Sequence, residues 1–152
     1  MTNSFVVKGG HPLRGKHRIH GAKNAVLPIL AACILCTERI ILHDCPQLND
    51  VQNMIKILNH IGCDVSWEST SVIIDPSNIK THSIPDHLGR ELRSSIFLLG
   101  SILGRFGVAE VSYPGGCDIG LRPIDLHKKG LQALGATVTE EYGRIKVEAR
   151  NL

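Results

Sequence analysis

The stretch Asn49-Asp-Val-Gln-Asn-Met-Ile-Lys-Ile-Leu-Asn-His-Ile-Gly-Cys-Asp-Val65 decides the fold. Val51, Met54, Ile55, Leu58 and Ile61 recur at the spacing of one helical face. Leu48-Asn-Asp50 offers a cap, and Gly62 stands where helices end. The period then changes. Cys63–Trp67 and Ser71–Asp75 read as a strand pair across a short polar turn. The motif returns: Ile61-Gly-Cys-Asp-Val65 matches Leu134-Gly-Ala-Thr-Val138. The repeat of roughly 70 residues exceeds the usual solenoid period.

Working outward, Arg39–His43 is a strand, preceded by the run Ala25–Leu35, which is apolar on every side. Such a helix is a buried helix. Its Pro28 is tolerable only in the first turn. In the second unit Arg90–Leu103 is a largely apolar helix and Val108–Ser112 a strand. Pro123–Leu134 is a helix closed by Gly135, and Ala136–Glu140 with Arg144–Glu148 form another strand pair. Each unit therefore reads helix, strand, helix, strand, strand. The sheets should cover the apolar helices, which gives an inside-out α/β fold. Ser4–Val7 is expected as a short strand, and Arg14–His20, charged and mildly alternating, as a candidate second. The expected organisation is an N-terminal strand segment over 1–20 and a partial domain over 21–152, with units at about 21–75 and 86–150 joined by the polar connection Pro76–Pro85.

Composition narrows the function. The chain has 152 residues, 43% hydrophobic and 20% charged, an ordinary soluble globular balance. A net charge of +3 with 4% aromatics argues for neither nucleic-acid binding nor base stacking. Five cysteines make an odd number without a framework, so they read as reduced thiols in a cytoplasmic protein. Cys33 and Cys36 form a CxxC inside an apolar run, and no second pair follows at zinc-ligand spacing. The eight histidines show no metalloprotease pattern. No signal peptide is visible in Met1–Gly10, and Ala25–Cys36 is too short to span a bilayer, so no membrane association is expected.

Two places suggest chemistry. Lys23 and Asn24 stand at the start of the first apolar helix, where unpaired backbone N–H groups point outward. A lysine at a positive helix end is either solvated or held there to meet an anion. The other is Tyr113-Pro-Gly-Gly-Cys-Asp-Ile-Gly-Leu-Arg-Pro-Ile-Asp-Leu-His127. Its glycines let the backbone bend and a ligand approach. Cys117 is either a small buried hydrophobe or a functional thiol; its polar neighbours weaken the first reading. Arg122, Pro123 and Asp125 then open a helix, a plausible anion site.

Gly21-Ala-Lys-Asn-Ala25 with Leu27-Pro28, Leu92-Arg-Ser-Ser95, Pro114-Gly-Gly-Cys-Asp-Ile-Gly120 and Arg122-Pro-Ile-Asp-Leu-His127 together resemble the UDP-N-acetylglucosamine 1-carboxyvinyltransferase family of enolpyruvyl transferases. The likeness runs over essentially the whole chain. The enolpyruvyl-shikimate-phosphate synthases share the fold but lack the cysteine loop. The resemblance implies transfer of enolpyruvyl from phosphoenolpyruvate to the sugar 3-hydroxyl by addition and elimination, the step that opens peptidoglycan synthesis. It makes Lys23 and Asn24 phosphoenolpyruvate ligands. Cys117 becomes the proton donor to the methylene carbon and the fosfomycin target. Arg93 becomes a substrate contact, and Arg122, Pro123, Ile124, Asp125 and Leu126 line the UDP-sugar site. No metal or organic cofactor is implied.

The family enzyme has two domains of three such units each, with the site in the cleft between them. This chain supplies two units. The resemblance thus leaves catalysis by the chain alone incomplete, with a non-catalytic or vestigial homologue that at most binds ligand as the alternative. An apolar surface should be exposed where a third unit would pack, inviting self-association or a complementing chain. Asp118 stands where the family commonly has alanine. A carboxylate beside a thiol raises its pKa. The Asp118→Ala variant is therefore expected to shift the iodoacetamide rate–pH curve of Cys117 to lower pH; superimposable curves would dismiss the effect.

Overall fold

The structure, a computed structural model, describes residues 4–115 and 123–150. Helix α1 spans Lys23–Ala32, tightens into a 3-10 turn at Cys33–Leu35, and leads to β1 (Ile40–Leu42). Helix α2 (Asn49–Ile61) and the hairpin β2 (Asp64–Glu68) and β3 (Ser71–Asp75) complete the first unit. The second contains α3 (Asp86–Glu91), a 3-10 turn at Arg93–Ile96, α4 (Phe97–Phe106), β4 (Val108–Ser112), α5 (Asp125–Ala133), β5 (Thr137–Glu141) and β6 (Arg144–Glu148). The two antiparallel sheets have the same topology, β1-β3-β2 and β4-β6-β5, with the last strand of each unit in the middle. Ile40 lies opposite Ile74, and Val111 opposite Ile145.

The repetition reaches single dihedral angles. Gly62 closes α2 at φ 111° and Gly135 follows α5 at φ 97°. The β2–β3 turn holds Ser69 at φ 56°, and the β5–β6 turn holds Tyr142 at φ 51°. Gly62 has a second constraint: a Cβ there would lie 2.4 Å from the Asn78 carbonyl oxygen.

One apolar core joins both units. Leu27, Leu30 and Ile34 pack with Met54, Ile57 and Leu58 of α2, with Leu98 and Ile102 of α4, and with Val72, Ile74, Ile145 and Val147 of the central strands. Arg105, near the end of α4, ties the units together. Its guanidinium donates to the carbonyls of Ile34 (2.7 Å), Cys36 (2.8 Å) and Pro76 (3.0 Å). The first two of these acceptors are orphaned where the first helix ends. Arg144 does similar work at the other sheet, bonding Glu110, Asp86, Ser83 and the Ile84 carbonyl.

Three expectations need correction besides that for Pro28, which lies inside α1 at its sixth residue and not in the first turn. Residues 4–20 form no strand: Phe5, Val6 and Val7 are almost fully exposed, and neither sheet accepts them at an edge. A strand needs a neighbour to satisfy its backbone, and none is offered among the described residues. Second, Arg90–Leu103 is not one helix. Leu92 is extended (φ −133°, ψ 118°) and buried in the core. The Ser95 hydroxyl bonds the Gly89 carbonyl at 2.9 Å, satisfying the end of α3 by a side chain in place of a continued helix. Third, α1 is covered on one side only. Ala25, Ile29, Ala32 and Leu35 form an exposed apolar stripe.

The C-terminal half of that stripe, Ala32 and Leu35, lines a groove of about 490 Å³ with Phe97 of α4 and with Leu126 and Leu134 at the two ends of α5. Helix α5 is amphipathic as its sequence requires, yet it fully buries no residue, whereas its counterpart α2 buries six. The groove between α1, α4 and α5 is left open.

The contrast between two glycines is testable by thermal unfolding. Gly62→Ala should destabilise by about 1–3 kcal/mol, because the new Cβ meets a carbonyl oxygen and the backbone is left-handed. Gly130→Ala, in α5 with open space around it, should stabilise by about 0.5–1 kcal/mol. A reversed order of melting temperatures would contradict these local geometries.

Candidate functional site

Helices α1 and α4 run in the same direction. Arg105 beside the C-terminus of α4 bonds the carbonyls at the end of the first helix, and Pro28 of α1 lines one groove with Ile96 and Phe97 at the start of α4. Lys23 is the first residue of α1, and Arg93 opens the 3-10 turn that leads into α4. The break at Leu92 is what creates this second helix start. Two cations thus begin neighbouring helices, where backbone N–H groups are also unpaired. Asn24 is exposed beside Lys23.

Lys23 has a partner. Its Nζ lies 2.7 Å from Oδ2 of Asp50, in the first turn of α2. The sequence offers Asn49 and Asp50 as part of a cap for that helix. The cap position is instead Leu48, without a side-chain bond, and the carboxylate reaches across to the lysine. A cavity of about 590 Å³ opens beside the approaches to α1 and α2, lined by His17, His20, Gly21, Gln47 and Leu48.

Cys117 and Arg122 lie outside the described residues. The flanks of their segment are described. Gly115 is pressed against the Arg90 backbone: a Cβ there would stand 1.8 Å from the Arg90 carbonyl oxygen, so only glycine fits. That puts the near flank of the segment beside Arg90, three residues before Arg93. On the far flank Pro123 is exposed, Ile124 is buried at 4%, and Asp125 and Leu126 open α5, both exposed.

The two flanks are joined through Glu140 on β5. The Tyr113 hydroxyl donates to Oε2 of Glu140, and Lys128 donates to Oε1 at 2.7 Å and also faces Asp125 at 3.5 Å. The hydrogen bond to a carboxylate favours the neutral phenol, so the Tyr113 pKa is raised. The Lys128 contact lowers that of Glu140. Nothing in the sequence signalled this cluster. Its members are brought together by the β5–β6 register and not by a motif.

The three buried cysteines, Cys33, Cys45 and Cys63, are poor nucleophiles. Burial pushes the Cys33 thiol to about 11 and the Cys63 thiol to about 12, and Cys45 is raised for the same reason. Of the CxxC pair, Cys33 is buried and Cys36 exposed. Among the described residues no group of three His, Cys, Asp or Glu could hold a metal ion. No helix there is long and apolar enough to cross a membrane.

Repeated units with helices sheathed by three-stranded sheets, and cations at the helix starts, define an enolpyruvyl transferase fold. A family model described as EPSP synthase (3-phosphoshikimate 1-carboxyvinyltransferase) matches residues 7–152, and the chain belongs to that family. Within it, the chain is 51% identical over 142 residues to UDP-N-acetylglucosamine 1-carboxyvinyltransferase 2 of Caldanaerobacter subterraneus, covering 93% of this chain and 34% of that one. It is 46% identical over 148 residues to UDP-N-acetylglucosamine 1-carboxyvinyltransferase of Halothermothrix orenii, covering 97% and 36%. The chain thus spans about a third of these relatives' length. The enolpyruvyl transferase NikO of Streptomyces tendae superimposes with a TM-score of 0.77 over 95% of this chain and 32% of NikO, at 22% identity. EPSP synthase of Acinetobacter baumannii gives 0.64 over 90% of this chain and 32% of its own, at 16% identity, a likeness of fold.

The Tyr113–Glu140 bond can be read by titration. Tyr142 is replaced by Phe so that Tyr113 is the one phenol read. Its phenolate absorbance should appear at higher pH than in the same chain carrying Glu140→Gln. Coincident curves would mean the bond does not form.

Proposed function

We propose that this chain forms one wall of a site for enolpyruvyl transfer from phosphoenolpyruvate to the 3-hydroxyl of UDP-N-acetylglucosamine. The observation that supports the reading is that Lys23 begins α1, Arg93 opens the turn into α4, and Gly115, on the near flank of the Cys117 segment, is pressed against Arg90. In this reading Lys23 and Asn24 hold phosphoenolpyruvate. An ammonium at a helix start suits its phosphate and carboxylate. Arg93 and Arg122 add charge, and Pro123, Ile124, Asp125 and Leu126 contact the UDP-sugar. Cys117 protonates the methylene carbon, and the cationic centre that results is stabilised by the surrounding charges. The names of the relatives support the substrates. The process served is peptidoglycan synthesis in the cytoplasm, and the thiol is a fosfomycin target.

The wall needs an opposite wall. We infer that the open α1/α4/α5 groove is covered by a further unit, from additional chain, a complementing chain or a second copy, and that transfer waits on it. The domain organisation proposed from the sequence follows: 1–20 as a segment apart, and 21–152 as part of a larger domain. The second reading, a binding or vestigial form, is favoured by that same uncovered groove.

The test is phosphate release from phosphoenolpyruvate and UDP-N-acetylglucosamine, with Cys117→Ala as control. The 152-residue chain alone should release none, because both walls must be positioned together. Adding the remaining two thirds of a relative as a separate chain should restore Cys117-dependent release. Release from the chain alone, equally with Cys117→Ala, would reject the proposed chemistry. Binding without release in the complemented mixture would favour the second reading.

A further inference from the structure

We propose that Asp50 is the built-in counter-ion of Lys23 and sets how tightly this end of the helical layer takes an anion. The inference rests on Lys23 being an anion ligand, as proposed above. It adds a residue that lies outside all the family motifs, Gly21–Pro28, Leu92–Ser95 and Pro114–His127.

The geometry is specific. Lys23 begins α1 and Asp50 lies in the first turn of α2, so their 2.7 Å contact bridges two helix starts. Neither helix has a side-chain cap, so the unpaired N–H groups of both ends remain unsatisfied by side chains. A lysine at such an end is unfavourable, and an aspartate is favourable. Asp50 thus offsets the charge that Lys23 brings. Both side chains are partly exposed, at 44% and 40%, so the pair is open to an incoming ligand. An ammonium carries three donors and Asp50 takes one, which leaves the others for an anion. A phosphate that docks on Lys23 meets an attractive ammonium and, a few ångströms away, a repelling carboxylate. The carboxylate has two effects: it holds the ammonium in place, and it weakens the pull on the ligand.

Substitution separates the two. Asp50→Asn keeps an oxygen acceptor for the lysine and removes the charge. The probe is inorganic phosphate, titrated into the native chain, Asp50→Asn, Lys23→Ala and the double variant, at low and at high ionic strength. Asp50→Asn should bind about 3- to 30-fold tighter at low salt, the range of one unit charge across several ångströms at intermediate dielectric. The gain should shrink in high salt and vanish in the double variant. Circular dichroism checks folding, and Asp50→Ser serves as a second charge-removing variant should the first misfold.

Each other outcome overturns the idea in a distinguishable way. If Lys23→Ala weakens binding but Asp50→Asn leaves it unchanged or weaker, the counter-ion role fails while Lys23 remains a ligand. If the gain persists without Lys23, the effect is a general loss of negative charge. If Lys23→Ala changes nothing in either background, Lys23 is no ligand, and the site proposal falls with this one.

Discussion

The clamp of Arg105 on three backbone carbonyls is the constraint from which the rest follows. A helix end leaves its last carbonyls without partners, and burying them bare costs free energy. Arg105 satisfies Ile34, Cys36 and Pro76 with one planar cation, whose rigid fork suits several acceptors at once. In doing so it fixes the C-terminal ends of the two apolar helices side by side. Lys23 begins the first of these helices, and Arg93 opens the 3-10 turn that leads into the second.

Much of this architecture is legible in the residues. The spacing of Val51, Met54, Ile55, Leu58 and Ile61, and the glycine after them, describe α2 closely because the helix really is covered along that face. The strand pairs are legible because each is two short extended runs joined by a short polar turn. The departures all involve what lies beyond the local stretch. The all-round apolarity of Ala25–Leu35 correctly marks a helix made to be buried, but burial needs neighbours on both sides, and one side is open. The break at Leu92 is invisible in composition. It arises because Leu92 enters the core while Ser95 turns back to Gly89.

The site divides the same way. Lys23, Asn24, Arg93 and Asp125, proposed as site residues from motif resemblance, stand in the first turns of α1, the 3-10 turn before α4, and α5. Cys117 and Arg122 fall outside the described residues. Asp50 reads in sequence as part of a helix cap; its ion pair depends on how α1 meets α2, 27 positions away. Glu140 has no sequence signal at all. Its partners Tyr113 and Lys128 come from the end of β4 and from α5, and only strand register brings them to one carboxylate.

Helix α5 is thinly anchored in the fold. Nine residues long and fully burying none of them, it relies on its own backbone bonds, on the half-buried Leu131 and on the Lys128–Glu140 contact. Isolated helices of this length are marginal in water. Asp125 and Leu126 stand at its start, so any ligand that contacts them must also order the helix beneath. Whatever covers the groove orders the same helix. Leu126 lines that groove as well, so a cover and a ligand at the start of α5 would share a side chain. In the proposed reading, a cover on the groove and a ligand at Asp125 and Leu126 would both act on α5 and would be linked through it.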